Sequence, residues 1–146
     1  MKKKIYLASP WFNEEQAERQ ERIYQLLLEL GYEVFNPKIE SLIDLNSSQD
    51  HMSQTLIGNL RGIENADLVV ALVNKPYDSG TVWEAGYAHG RTPVIYYVEN
   101  LNGKPFNLML AKTGKFAGNM DMLAMQLALQ DTWELKEMYD FDGAVE

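Results

Sequence analysis

Two carboxylates stand six residues apart in Asp78-Ser79-Gly80-Thr81-Val82-Trp83-Glu84-Ala85-Gly86-Tyr87-Ala88-His89-Gly90. The segment lies between two apolar runs, Leu68-Val69-Val70-Ala71-Leu72-Val73 and Val94-Ile95-Tyr96-Tyr97-Val98. Strand, glycine-bearing turn, helix and strand in that order build a site at the carboxyl edge of an open α/β sheet. Glu84 has two readings. With Thr81 as N-cap it completes a capping box, which is a purely structural role. Near a helix start it would also stay ionised, because the positive end of the dipole favours the anion. An ionised carboxylate in a partly apolar cleft is a competent nucleophile toward a sugar carbon. Asp78 is likewise either an Asx-turn residue before Ser79-Gly80 or an acceptor for ligand hydroxyls.

Tyr6, inside a first apolar run, needs a hydrogen-bond partner if it is buried, and a carboxylate at the sheet edge would serve. Trp11 and Phe12 follow that run directly and suit a ligand wall for a planar base. Gly80 and Gly86 fit close backbone approach, but the dinucleotide and Walker fingerprints are absent. His89 falls about 140° around a helix from Glu84. With His51 in a loop region, there is no metal-ligand spacing and no metal site is expected. The methionines at 120, 122 and 125 read as core or interface.

The elements that must position these residues follow from the pattern. Ile5-Tyr6-Leu7-Ala8 is a first strand. Asn13 with Gln16 caps a helix that Gly31 terminates, and Tyr32-Glu33-Val34-Phe35 is a second strand. Residues 46–50 read as a loop, 54–65 as a helix, and a third strand starts at Asp67. A helix over 81–90 leads to a fourth strand over 93–98. Residues 120–129 form a helix apolar nearly all round, and 140–146 an irregular tail. Strands alternating with helices predict one domain over 1–146, a flavodoxin-like doubly wound α/β sheet, mainly parallel, of about five strands.

Composition narrows the class. The 146 residues are enough for one substantial core, and there is no cysteine for disulfides or a thiolate zinc site. A net charge of −8 without a basic stripe argues against nucleic acid as a partner. Lys2-Lys3-Lys4 precedes too short an apolar run for a signal peptide, and no stretch approaches a membrane span. These features read as a cytoplasmic enzyme with a small-molecule substrate and no membrane partner.

Taken together, Ile5-Tyr6-Leu7-Ala8-Ser9-Pro10-Trp11-Phe12, Asp78 with Glu84-Ala85-Gly86-Tyr87-Ala88, Lys104-Pro105-Phe106-Asn107-Leu108-Met109 and Gly143-Ala144-Val145 resemble the nucleoside 2-deoxyribosyltransferase family. The resemblance implies transfer of a 2-deoxyribosyl group between nucleobases through a covalent glycosyl-enzyme. Deoxynucleosides and free bases would be its substrates, with no cofactor. It implies Glu84 as nucleophile, Tyr6 as the residue that orients it, and Asp78 and Asn107 as holders of the sugar hydroxyls. Met109 would line the site. It also implies a homo-oligomer, commonly a hexamer, in which Asn107 completes a neighbouring site. Two positions depart from the pattern. Asn59 stands where the family often has an aspartate that protonates the departing base, and an amide can hydrogen-bond a base without supplying that proton. Glu146 stands where a tyrosine often closes the tail. The rival activities are a deoxynucleoside monophosphate N-glycosidase and a non-catalytic nucleotide sensor. The first needs a phosphate-binding set that Ser9-Pro10-Trp11-Phe12-Asn13 does not resemble.

Overall fold

Burial on both sides marks the central strands of the protein, described in a computed structural model over residues 3–40, 47–132 and 137–146. Lys2 and Asn46, used above, lie outside the described residues. The chain runs β1 (Lys4–Ala8), α1 (Glu14–Glu29), β2 (Glu33–Phe35), α2 (Pro37–Glu40), α3 (Gln49–Asn65) and β3 (Leu68–Leu72). It continues through α4 (Ser79–Ala88), β4 (Val94–Tyr97), α5 (Leu108–Thr113), β5 (Lys115–Ala117) and α6 (Met120–Asp131). The sheet order is β2-β1-β3-β4-β5 and every pairing is parallel. That is the doubly wound flavodoxin-like arrangement.

Strand alternation sorts the side chains into two layers. Ile5 and Leu7 share one face with Val70, Leu72, Ile95 and Tyr97, packed on Ile23 and Leu27 of α1 and Leu123 and Leu127 of α6. Tyr6 and Ala8 point the other way, onto Ile63 of α3 and Ala85 and Ala88 of α4. Tyr6 therefore lies under α4, fully buried.

Several sequence expectations are corrected here. Helix α3 begins at Gln49 and not at 54, because the Ser48 side chain caps it by accepting from the His51 N–H. Residues 49 and 50, read as loop, are helical. The tail over 140–146 forms no regular element, as expected, but an isolated parallel bridge between Phe106 and Val145 ties it down. Phe106 N–H donates to the Ala144 carbonyl at 2.9 Å, and Glu146 N–H to the Phe106 carbonyl at 2.9 Å. Strand β5, only three residues long, carried no readable pattern. Gly114 precedes it where a Cβ would lie 2.6 Å from the Val94 carbonyl oxygen, so only glycine allows that approach. Gly31 closes α1 with φ +93°, as its position predicted.

A charged cluster ties α1 to the carboxyl ends of β3 and β4. Glu99 accepts from Arg19 at 3.1 Å, from Arg22 at 2.9 and 3.0 Å, and from the Tyr97 hydroxyl at 2.6 Å. Its backbone exchanges two hydrogen bonds with the Asn74 side chain. The Arg22 hydrogen bonds lead in holding the Glu99 carboxyl at about 2, against an ordinary 4.5, with Tyr97 and Arg19 assisting against burial. Glu99→Gln is expected to cost about 3 kcal/mol at neutral pH, because Arg19 and Arg22 lose the sheltered carboxylate they share and keep only the exposed Glu15 and Glu18. A depressed carboxyl stabilises the fold above its unfolded pKa, and that contribution is lost as pH falls through the folded value. The gap between wild type and variant in urea should therefore narrow below pH 4.5 and toward 2.

Candidate active site

Helix α4 starts two residues earlier than predicted, and this reassigns both carboxylates. Asp78 is the N-cap: its Oδ2 accepts from the Thr81 N–H at 2.9 Å and from the Thr81 hydroxyl at 2.8 Å. The Thr81–Glu84 capping box, one of the two readings of Glu84, does not form. Both capping bonds fall on one oxygen, so Asp78 Oδ1 has no hydrogen-bond partner among the described residues. Ser79 opens the helix, which makes Glu84 its sixth residue, beyond the reach of the unpaired first-turn amides.

Glu84 instead meets Tyr6 across 78 positions of sequence, the Tyr6 hydroxyl donating to Glu84 Oε2. Tyr6 is held by its register partner Phe35, whose ring stacks on it at 5.3 Å and 13°. Gly62 of α3 makes room for that stack, since a Cβ there would lie 3.1 Å from the Phe35 ring. The helix-dipole expectation of a readily ionised Glu84 is overturned. Burial pushes its carboxyl up to about 7, the Tyr6 hydrogen bond opposing that rise and the charge of Asp78 adding to it. Burial, then the Glu84 charge and the hydrogen bond to it, carry the Tyr6 hydroxyl far above the ordinary phenol range. Near neutral pH Glu84 is divided between its acid and a poorly solvated carboxylate that accepts one hydrogen bond from Tyr6.

Above the pair lies a cleft of about 290 Å³. Trp11 and Phe12 wall one side, with ring centroids 5.2 Å apart. The Asn13–Gln16 cap positions them: Asn13 accepts from the Gln16 N–H at 2.8 Å, and the Phe12 N–H donates to Gln16 Oε1 at 3.0 Å. Leu56, Asn59 and Leu60 contribute one face of α3, while Gly80 and Trp83 join Asp78 and Glu84 from α4. Asp78, Glu84, Trp11, Phe12, Asn59 and Gly80 are thus brought to one cleft. Trp83, Leu56 and Phe35 were missed; the apolar i, i+4 pair Leu56–Leu60 beside Asn59 was a readable signal for one of them.

Asn107 and Met109 are not brought there. They line a second, apolar hollow of about 420 Å³ with Val82, Gly86 and His89 on the opposite face of α4. Asn107 caps α5 by accepting from the Leu110 N–H at 3.2 Å, and its own N–H donates to the Tyr77 hydroxyl at 3.2 Å. Met109 is 68% exposed. Among the described residues no three metal-ligating side chains cluster, and no described helix is long and apolar enough to cross a membrane.

A parallel sheet of this order, with polar groups gathered at the carboxyl ends of β1 and β3, defines an α/β protein of the doubly wound class, in which ligand sites lie at the strand-order switch. Over residues 5–120 the sequence matches the nucleoside 2-deoxyribosyltransferase family, and the chain belongs to that family. A 2-deoxyribosyltransferase from Bacillus psychrosaccharolyticus is 31% identical, with a TM-score of 0.73 over 82% of this chain and 89% of that one. A conserved protein from Enterococcus faecalis V583 shares the fold at 16% identity and TM-score 0.68, covering 89% and 99%. So does a CMP N-glycosidase from Clostridium botulinum, at 21% identity and TM-score 0.56, covering 87% and 99%. No protein of curated function matches the chain. Membership of the family points to an enzyme of the nucleoside deoxyribosyltransferase class.

Proposed function

We propose that the protein transfers 2-deoxyribosyl groups between nucleobases by a retaining double displacement, with Glu84 as nucleophile. The observation that carries this reading is the Tyr6–Glu84 pair, a buried carboxylate at the floor of an aromatic cleft. A Glu84 oxygen attacks the anomeric carbon as the C–N bond breaks, and that electron pair leaves with the first base. A ring nitrogen of the second base then attacks the same carbon and returns Glu84 to its carboxylate. The departing base takes a proton and the incoming base gives one up, so the exchange is proton-neutral. Asn59 can donate a hydrogen bond to the departing base, whose proton comes from solvent. Asp78 Oδ1 accepts a sugar hydroxyl.

Asn107 and Met109 on the far side of α4 suit residues that complete a neighbouring site in a homo-oligomer. Burial of Glu84 and the aromatic walls keep water from the glycosyl-enzyme. Against a nucleotide glycosidase, no lysine or arginine stands among the described residues lining the cleft, so a phosphate dianion would find no cation. Incubation of the protein with a deoxynucleoside, with and without a free acceptor base, and chromatography of the products test the proposal. A new nucleoside formed only with acceptor is expected. Free base released equally fast without acceptor would replace transfer by hydrolysis.

A further inference from the structure

Trp83 has no part in the chemistry above, yet it stands beside Glu84 and lines the same cleft. It is 55% exposed, unusual for so large an apolar ring. One face of the indole is taken: Tyr87 stacks on it at 5.5 Å and 8°, one helical turn along α4. Tyr87 is itself fixed. Its hydroxyl donates to Glu64 of α3, Arg91 lies 4.4 Å over its ring, and the same arginine donates to the Tyr87 carbonyl at 2.6 Å. Tyr87 does not line the cleft, whereas Trp83 does, which leaves the indole face away from Tyr87 open to stacking. The side chain is a platform oriented before any ligand arrives, which removes much of the ordering cost of stacking.

Resting on the reading that a nucleoside occupies this cleft, we infer that Trp83 is its base-selecting residue, stacking a two-ring purine in preference to a pyrimidine. The fused five- and six-membered rings of indole match a purine in area, and offset stacking gains with overlap. Arg91, Tyr87, Trp83 and the base would then form one continuous stack, with the Trp11–Phe12 wall across the cleft.

Calorimetric titration of the intact protein with free adenine and free thymine tests the inference without any turnover. Trp83→Ala is expected to weaken adenine binding about tenfold, roughly 1.4 kcal/mol, within the usual worth of base–aromatic stacking. Thymine binding should fall less, and Trp83→Phe should recover most of the loss. Unchanged adenine affinity in Trp83→Ala would overturn the inference, as would equal losses for both bases. A change in oligomeric mass in Trp83→Ala with base binding intact would also overturn it, making this face a subunit contact. The exchange assay reads separately. Adenine binding that depends on Trp83 in a protein that exchanges no bases would leave the platform standing and remove the reaction.

Discussion

Glu84→Gln is expected to abolish base exchange while making the protein more stable at alkaline pH. If Glu84 is the nucleophile, as proposed, its loss removes the covalent route, and a fall of about 10⁴-fold or more in turnover is the scale for such residues. Glutamine keeps an oxygen that can accept from Tyr6, so the local packing survives. The stability effect follows from the raised carboxyl. Glu84 titrates at about 7 in the fold against an ordinary 4.5, chiefly because burial disfavours its charge. A group raised on folding lends its full stabilisation below the unfolded pKa and loses it as pH rises through the folded value. Above pH 7 the native protein therefore carries a buried charge, at a cost of about 3 kcal/mol. The variant does not. Its melting temperature should exceed wild type by several degrees at pH 8, and the difference should shrink toward pH 5. In wild type the rate should rise with pH through about 7, as the nucleophile ionises. Exchange at wild-type rates in the variant would remove Glu84 from the mechanism. A melting difference independent of pH would remove the burial argument.

The second large effect concerns Asn107. Alone, Asn107→Ala should be nearly inactive, as should Glu84→Ala. Mixed in equal amounts under conditions that allow subunit exchange, the two inactive variants should regain activity. On the proposed reading each site takes Glu84 from one chain and Asn107 from its neighbour, so random assembly should restore about a quarter of the sites in a closed oligomer. The structural basis is the separation of the two hollows by α4, with Glu84 facing one and Asn107 the other. A mixture that stays silent while subunits demonstrably exchange would return Asn107 to a local role as the cap of α5.

Much of this site was legible before any coordinates. Strands β1, β3 and β4 announce themselves as short apolar runs, because parallel central strands are buried on both faces. Alternation along Ile5-Tyr6-Leu7-Ala8 then sends Tyr6 to the layer opposite its neighbours. Asn13 and Gly31 bound α1 by local chemistry alone. Residues whose structure depends on distant packing were not legible. Strand β5 forms because Gly114 admits the chain against Val94, and the tail is ordered by hydrogen bonds to Phe106 and Leu108.

Glu84 shows the division most clearly. The sequence by itself determined that two carboxylates follow β3, and it offered local roles for both, Asp78 as an Asx-turn residue and Glu84 as the partner of a Thr81 cap. Capping is a contact over three residues, so spacing alone leaves the choice degenerate. Only the tertiary structure decided it, because a tyrosine 78 positions away lies under the helix and takes the Glu84 carboxylate. Asp78 is left as the cap, and Glu84 becomes a desolvated acid at the floor of a cleft.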